Sequence, residues 1–131
     1  MAAAGPTDDQ MGAADRPPAI EGYGAGGFRI DGVVRKGSLI VLPNRIVEWS
    51  VASFAEVDVR SLPPTLFAAA GIELLLLGCG VGMALPPRDL RQALRAVGIV
   101  IEVMDTGAAV RTYTALLGEQ RRLAAALIAV D

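Results

Sequence analysis

Two apolar runs of strand length, residues 72–77 and 99–104, stand on either side of a helix-patterned segment, and each runs into glycine. The first continues as Gly78-Cys79-Gly80-Val81-Gly82 and then reaches Pro86-Pro87. The second continues as Asp105-Thr106-Gly107 and then Ala108-Ala109-Val110-Arg111-Thr112-Tyr113. Short, continuous apolar runs suit strands buried on both faces. Between them Pro87 opens a helix over residues 88–97, with Asp89 in its first turn and Gly98 as its stop. Strand, helix and strand in this order predict a βαβ unit with parallel strands. The two loops then meet at one edge of a sheet, where α/β domains usually keep their ligands.

The remaining pattern adds to this unit. Residues 20–23 read as a short extended start, followed by a flexible turn over Gly24-Ala25-Gly26-Gly27. Residues 28–30 and 33–35 form a hairpin about Asp31-Gly32, because a type I′ turn needs positive φ at both positions. Residues 38–42 and 46–50 form the next pair, turned at Pro43-Asn44, and an antiparallel meander is the expected arrangement. Ser53 and Glu56 have capping-box spacing. Ser61 is placed to cap a helix with Pro63 and Pro64 in its first turn and Gly71 at its end. Residues 107–130 carry Tyr113, Leu116, Leu117, Leu123, Leu127 and Ile128 in a helical pattern that Gly118 divides or kinks. The fold class is α/β: a mixed central β-sheet with a βαβ unit, C-terminal helices and a small additional N-terminal β portion.

Composition excludes several chemistries. The 131 residues suit a single domain, placed at residues 20–131, behind a disordered N-terminal tail at residues 1–19. Asp8, Asp9, Asp15 and Arg16 in that tail account for the whole formal charge of -2, so the domain itself is balanced. A balanced domain has no general field to hold phosphates, and nucleic acid is not an expected partner. Histidine is absent and Cys79 stands alone, which removes Ser-His-Asp and Cys-His catalysis, an internal disulfide and cysteine-based zinc sites. No metal, no cofactor and no catalytic residue are expected. The N-terminus has neither a basic start nor an apolar core, which points to a cytoplasmic protein. Residues 66–85 hold only one charge, Glu73, but four glycines divide them into strand and loop lengths, so no transmembrane segment is expected.

Several blocks resemble a known family. They are Gly26-Gly27-Phe28-Arg29-Ile30 with Gly37-Ser38-Leu39, then Glu73 through Gly80, then Glu102 through Ala109 with Arg111-Thr112-Tyr113, and finally residues 119–127. The family is the small α/β domain shared by uncharacterised bacterial and archaeal proteins, the mitochondrial respiratory complex I assembly factor three, and the adipogenesis-associated domain protein of animals. The resemblance spans residues 20–130. It implies a three-layer fold around a mixed sheet, no established catalytic activity, and, for the mitochondrial branch, assembly of a membrane-associated respiratory complex through protein contacts. Two positions depart from the pattern: Cys79, where relatives more often have Thr, and Thr114, where Asn is common.

Two kinds of site are candidates. The first is a ligand pocket between the glycine loop (Gly78, Cys79, Gly80) and the segment Met104, Asp105, Thr106, Arg111 and Tyr113. Thr106 as helix cap, outward amides at Gly107, Ala108 and Ala109, and the Arg111 guanidinium one turn on would suit a small anionic ligand. An ordinary capped helix explains the same residues, and G-x-G-x-G with a delayed helix is not the dinucleotide spacing. The second is a partner surface at Trp49 and at Arg88, Arg91 and Arg95, which share one helix face. Solvation of that face and burial of Trp49 are the plain alternatives. The expected function is a non-enzymatic interaction or assembly domain of a bacterium with protein partners. An anionic-ligand protein or enzyme is the alternative, and a nucleotide-binding domain is the weakest reading. The oligomeric state is open.

Overall fold

The computed structural model describes residues 16–82, 84–119 and 122–131. Residues 1–15 of the expected tail lie outside the described residues, whereas Pro18, inside the tail boundary drawn from sequence, is buried. Its carbonyl accepts a 2.7 Å hydrogen bond from the Tyr113 hydroxyl.

Strands β1 (Ile20–Gly24), β2 (Gly27–Ile30) and β3 (Val33–Lys36) form an antiparallel sheet of their own, in that order. The β2–β3 turn has Asp31 and Gly32 at φ 50 and 81, the twist that a two-residue hairpin needs. The loop expected over residues 24–27 is tighter than a flexible turn, for Gly24 pairs with Gly27 directly. The meander expected over residues 20–50 is also interrupted. After Gly37 the chain leaves the first sheet, and β4 (Ser38–Leu42) and β5 (Arg45–Trp49) enter a second.

That second sheet has five strands in the order β5-β4-β8-β6-β7, with β6 at Leu74–Gly78, β7 at Val100–Met104 and β8 at Leu123–Leu127. β6 runs parallel to both β7 and β8, and β4 runs antiparallel to β5 and β8, so the sheet is mixed. α2 (Arg88–Ala96) joins β6 to β7 as the βαβ pattern predicts. Leu75, Leu77, Ala124 and Ala126 face one core with Leu90 and Leu94 of α2 and Phe67 of α1 (Pro64–Ala69). Leu74, Leu76, Ala125 and Leu127 face the other core, with Ala109, Val110 and Tyr113 of α3 (Thr106–Leu117) and Phe28 and Ile30 of the first sheet. The result is three layers, with the five-stranded sheet in the middle. The β6 leucines are 0–4% exposed, and each wholly buried leucine contributes about 1.5–3 kcal/mol.

Three local expectations are corrected. The C-terminal half of residues 107–130 is not helix: α3 ends at Leu117 with Gly118 as its cap, and Leu123–Leu127 is the central strand. Its three alanines favour a helix in isolation, but β4 and β6 each need a partner for their backbone groups, and that demand prevails. β7 is an edge strand rather than a buried one, with Val100 60% exposed. Ser61 does not cap α1; Pro63 holds that position, and the Ser61 amide donates to the Asp58 carboxylate at 2.8 Å.

Candidate functional site

The ends of β6 and β7 meet the start of α3, as the βαβ pattern requires, but they meet as a closed seam. The Thr106 amide donates to the Gly80 carbonyl at 2.8 Å, and the Gly80 amide donates to Thr106 Oγ1 at 3.0 Å. The same hydroxyl donates to the Ile128 carbonyl at 2.7 Å. The Cys79 amide donates to the Met104 carbonyl at 2.9 Å, and the Ile128 amide donates to the Gly78 carbonyl at 3.0 Å. Thr106 is 0% exposed. Gly78 permits this approach: a Cβ there would stand 3.0 Å from Thr106 Cα and 3.2 Å from Ala109 Cβ.

The helix cap is Asp105 rather than Thr106. The Ala108 amide donates to Asp105 Oδ1 at 2.7 Å, and the Ala109 amide donates to the Asp105 carbonyl at 2.9 Å. Asp105 has extended backbone at φ -63 and ψ 161, which aims its short carboxylate at the orphan amides. Thr106 is already in the helix, and its hydroxyl is turned inward. Two of the three amides expected to face a ligand are thus occupied, and the Gly80 amide that a phosphate would use is held by Thr106.

The structure brings Gly78, Cys79, Gly80, Met104, Asp105 and Thr106 together in this seam. Cys79 is buried, its thiol 2.7 Å from the Gly82 carbonyl. Met104 is half-buried, and its sulfur accepts a 3.5 Å contact from the Thr112 hydroxyl. Tyr113 is not with them: it is 1% exposed and reaches across the second core to Pro18, and burial, with Asp31 adding to it, raises its phenol pKa above the ordinary value. Arg111 is exposed on α3. It shares the helix start with Tyr23, which sequence reasoning did not single out. A Cβ on Gly107 would lie 2.5 Å from the Tyr23 hydroxyl oxygen and 3.3 Å from Arg111 Nη1. Tyr23 stands on β1, far away in sequence, and no spacing rule links it to Gly107.

The two partner-surface candidates separate. Trp49 is 6% exposed, and its indole Nε1 donates to the Ser61 carbonyl at 2.7 Å, so it is a core anchor. Arg88, Arg91 and Arg95 are exposed along α2. In the loop before that helix, Val81 and Leu85 are 91% and 82% exposed. Nothing in the sequence distinguished these two from the apolar run that precedes them. Among the described residues no helix is long and apolar enough to cross a membrane.

A family profile described as a protein of unknown function (DUF498/DUF598) matches residues 20–128. The chain belongs to the DUF498/DUF598 family. Among relatives of this DUF498/DUF598 chain, an uncharacterised protein of Rhodobacter capsulatus is 39% identical over 110 residues, covering 83% of this chain and 82% of the relative. The NADH dehydrogenase (ubiquinone) 1 alpha subcomplex assembly factor 3 of Danio rerio is 37% identical over 109 residues, covering 83% of this chain and 63% of the relative. The chain therefore spans less than two thirds of that assembly factor's length. A crystal structure of an outer membrane protein from Bartonella henselae superposes with a TM-score of 0.80 at 36% identity, covering 87% of this chain and 96% of that one. The DUF498/DUF598 match takes in both sheets, the seam and the loop before α2.

Proposed function

We propose that this chain is a non-enzymatic, cytoplasmic interaction domain that helps assemble a respiratory or other membrane-associated complex through protein contacts. The observation that carries this reading is the seam, where the Thr106 hydroxyl is spent on Gly80 and Ile128 and the Asp105 carboxylate on the Ala108 amide. Similarity to the assembly factors supports the direction of the reading. The test is capture of partners from the native host by the tagged full chain, with wild type compared against Tyr23→Ala and Val34→Ser, two exposed positions of the first sheet. Recovery of a defined protein that either surface variant loses is the expected result; equal recovery by all three would overturn it.

A second reading has its own observation. Tyr23 and Arg111 converge over Gly107, a pairing suited to a small carboxylate or phosphate. A thermal-shift panel of simple anions tests it. A rise in Tm for wild type that Arg111→Ala abolishes would favour a ligand, or an enzyme acting on one, over docking alone.

A further inference from the structure

We propose that Val81 and Leu85, in the loop before α2, and the arginine face of α2 form a docking surface for an anionic lipid bilayer. Val81 and Leu85 are the two most exposed large apolar side chains among the described residues, at 91% and 82%. They sit in one short loop that ends in Pro86-Pro87, directly before Arg88. At about 100° per residue, Arg88, Arg91 and Arg95 fall within an arc of roughly 60° on α2. That arc flanks the buried Leu90 and Leu94 on one side of the helix, and Asp89, the helix's only acid, falls on the other flank. The Asp89 carboxylate accepts from the Leu90 amide at 2.9 Å. Among the described residues the one ion pair is Arg16 with Asp31, so none of the three arginines is in an ion pair with a described carboxylate.

Gly80 is bonded twice to Thr106, and the Gly82 carbonyl lies 2.7 Å from the Cys79 thiol, so the loop is anchored on the side that leaves β6. Exposed apolar side chains beside a basic helix face match the two forces that hold peripheral proteins on membranes. Apolar side chains enter the headgroup–acyl boundary, while guanidinium groups pair with lipid phosphates. Charge complementarity selects an anionic surface. The apolar contribution is from protruding aliphatic side chains, with Trp49, Phe28 and Phe67 all buried elsewhere. Aliphatic knobs suit a fluid acyl layer, which adapts its shape, better than a protein partner, whose anchors are usually aromatic and fill pockets.

The test is co-sedimentation of the full chain with vesicles of phosphatidylcholine alone or mixed with phosphatidylglycerol. Wild type is expected to sediment with the mixed vesicles only and to be released by salt. Arg91→Gln with Arg95→Gln should weaken the partition on the order of 25-fold, roughly fivefold per arginine. Val81→Ser with Leu85→Ser should weaken it severalfold as well. All four positions are exposed, so circular dichroism should report an unchanged fold. Absence of wild-type binding to the mixed vesicles, or equal binding by the variants, would overturn the proposal. So would binding to polyglutamate without binding to vesicles, which would make the surface one for an acidic protein.

Discussion

Thr106 and Gly80 are hydrogen-bonded in both directions, amide to carbonyl at 2.8 Å and amide to hydroxyl at 3.0 Å. The pair joins the start of α3 to the loop after β6, and the same hydroxyl reaches Ile128, the residue just after β8. Thr106→Val keeps the volume but leaves the Gly80 amide and the Ile128 carbonyl without their partner. A loss of about 2–4 kcal/mol is expected in urea unfolding. Thr106→Ser retains the hydroxyl and should lose clearly less; equal losses would show that packing, not hydrogen bonding, holds the seam.

Gly78 tests the close approach of α3 to the sheet. Its missing Cβ would meet Thr106 Cα at 3.0 Å and Leu127 Cδ2 at 3.1 Å, one of them backbone. Gly78→Ala should destabilise by about 1–3 kcal/mol. Gly82→Ala, where nothing lies within 4 Å, should change stability by under about 0.5 kcal/mol. Denaturant midpoints of the two variants decide this.

Tyr113 predicts an alkaline limit. Burial raises its pKa in the folded state, so folding is favoured below the unfolded value of about 10 and disfavoured as pH rises toward the folded value. Wild type should therefore lose Tm above about pH 10. Tyr113→Phe should flatten that decline while costing about 1 kcal/mol at neutral pH, because the Pro18 carbonyl loses its donor.

Asp58 gives the opposite sign. The Ser61 amide, then the Arg60 amide and charge, hold its carboxylate below the usual range against some desolvation. Its contribution is present above the unfolded pKa of about 4 and is lost as pH falls through the lower folded value. Asp58→Asn should make the acid decline in Tm shallower. An unchanged acid slope would remove this turn from the account.

Much of the site's framework was legible because its signals are local. The βαβ unit followed from two apolar runs with proline and glycine between them, and the Asp31-Gly32 hairpin followed from turn chemistry. What sequence could not decide was the state of the cleft. Thr106 and Asp105 are both good capping residues side by side, and which one caps depends on where the Thr106 hydroxyl finds its acceptor, the Ile128 carbonyl just after β8. Tyr23 reaches Gly107 only because the first sheet packs on α3, and no local rule expresses that. Trp49 has the residue type of an interface anchor, and only burial against the segment ending at Ser61 makes it a core residue.

By itself the sequence determined the α/β class, the mixed sheet, the crossover helix and the absence of histidine and internal-disulfide chemistry. Those follow from residue types, periodicity and breakers, which act over a few neighbours. The tertiary structure decided that residues 123–127 are the central strand, that β7 is an edge, and that the two glycine-bearing loops close on each other. Each of these depends on backbone groups and side chains finding partners far along the chain. An alanine-rich segment carries no periodicity of its own to resist being drawn between two strands that need one.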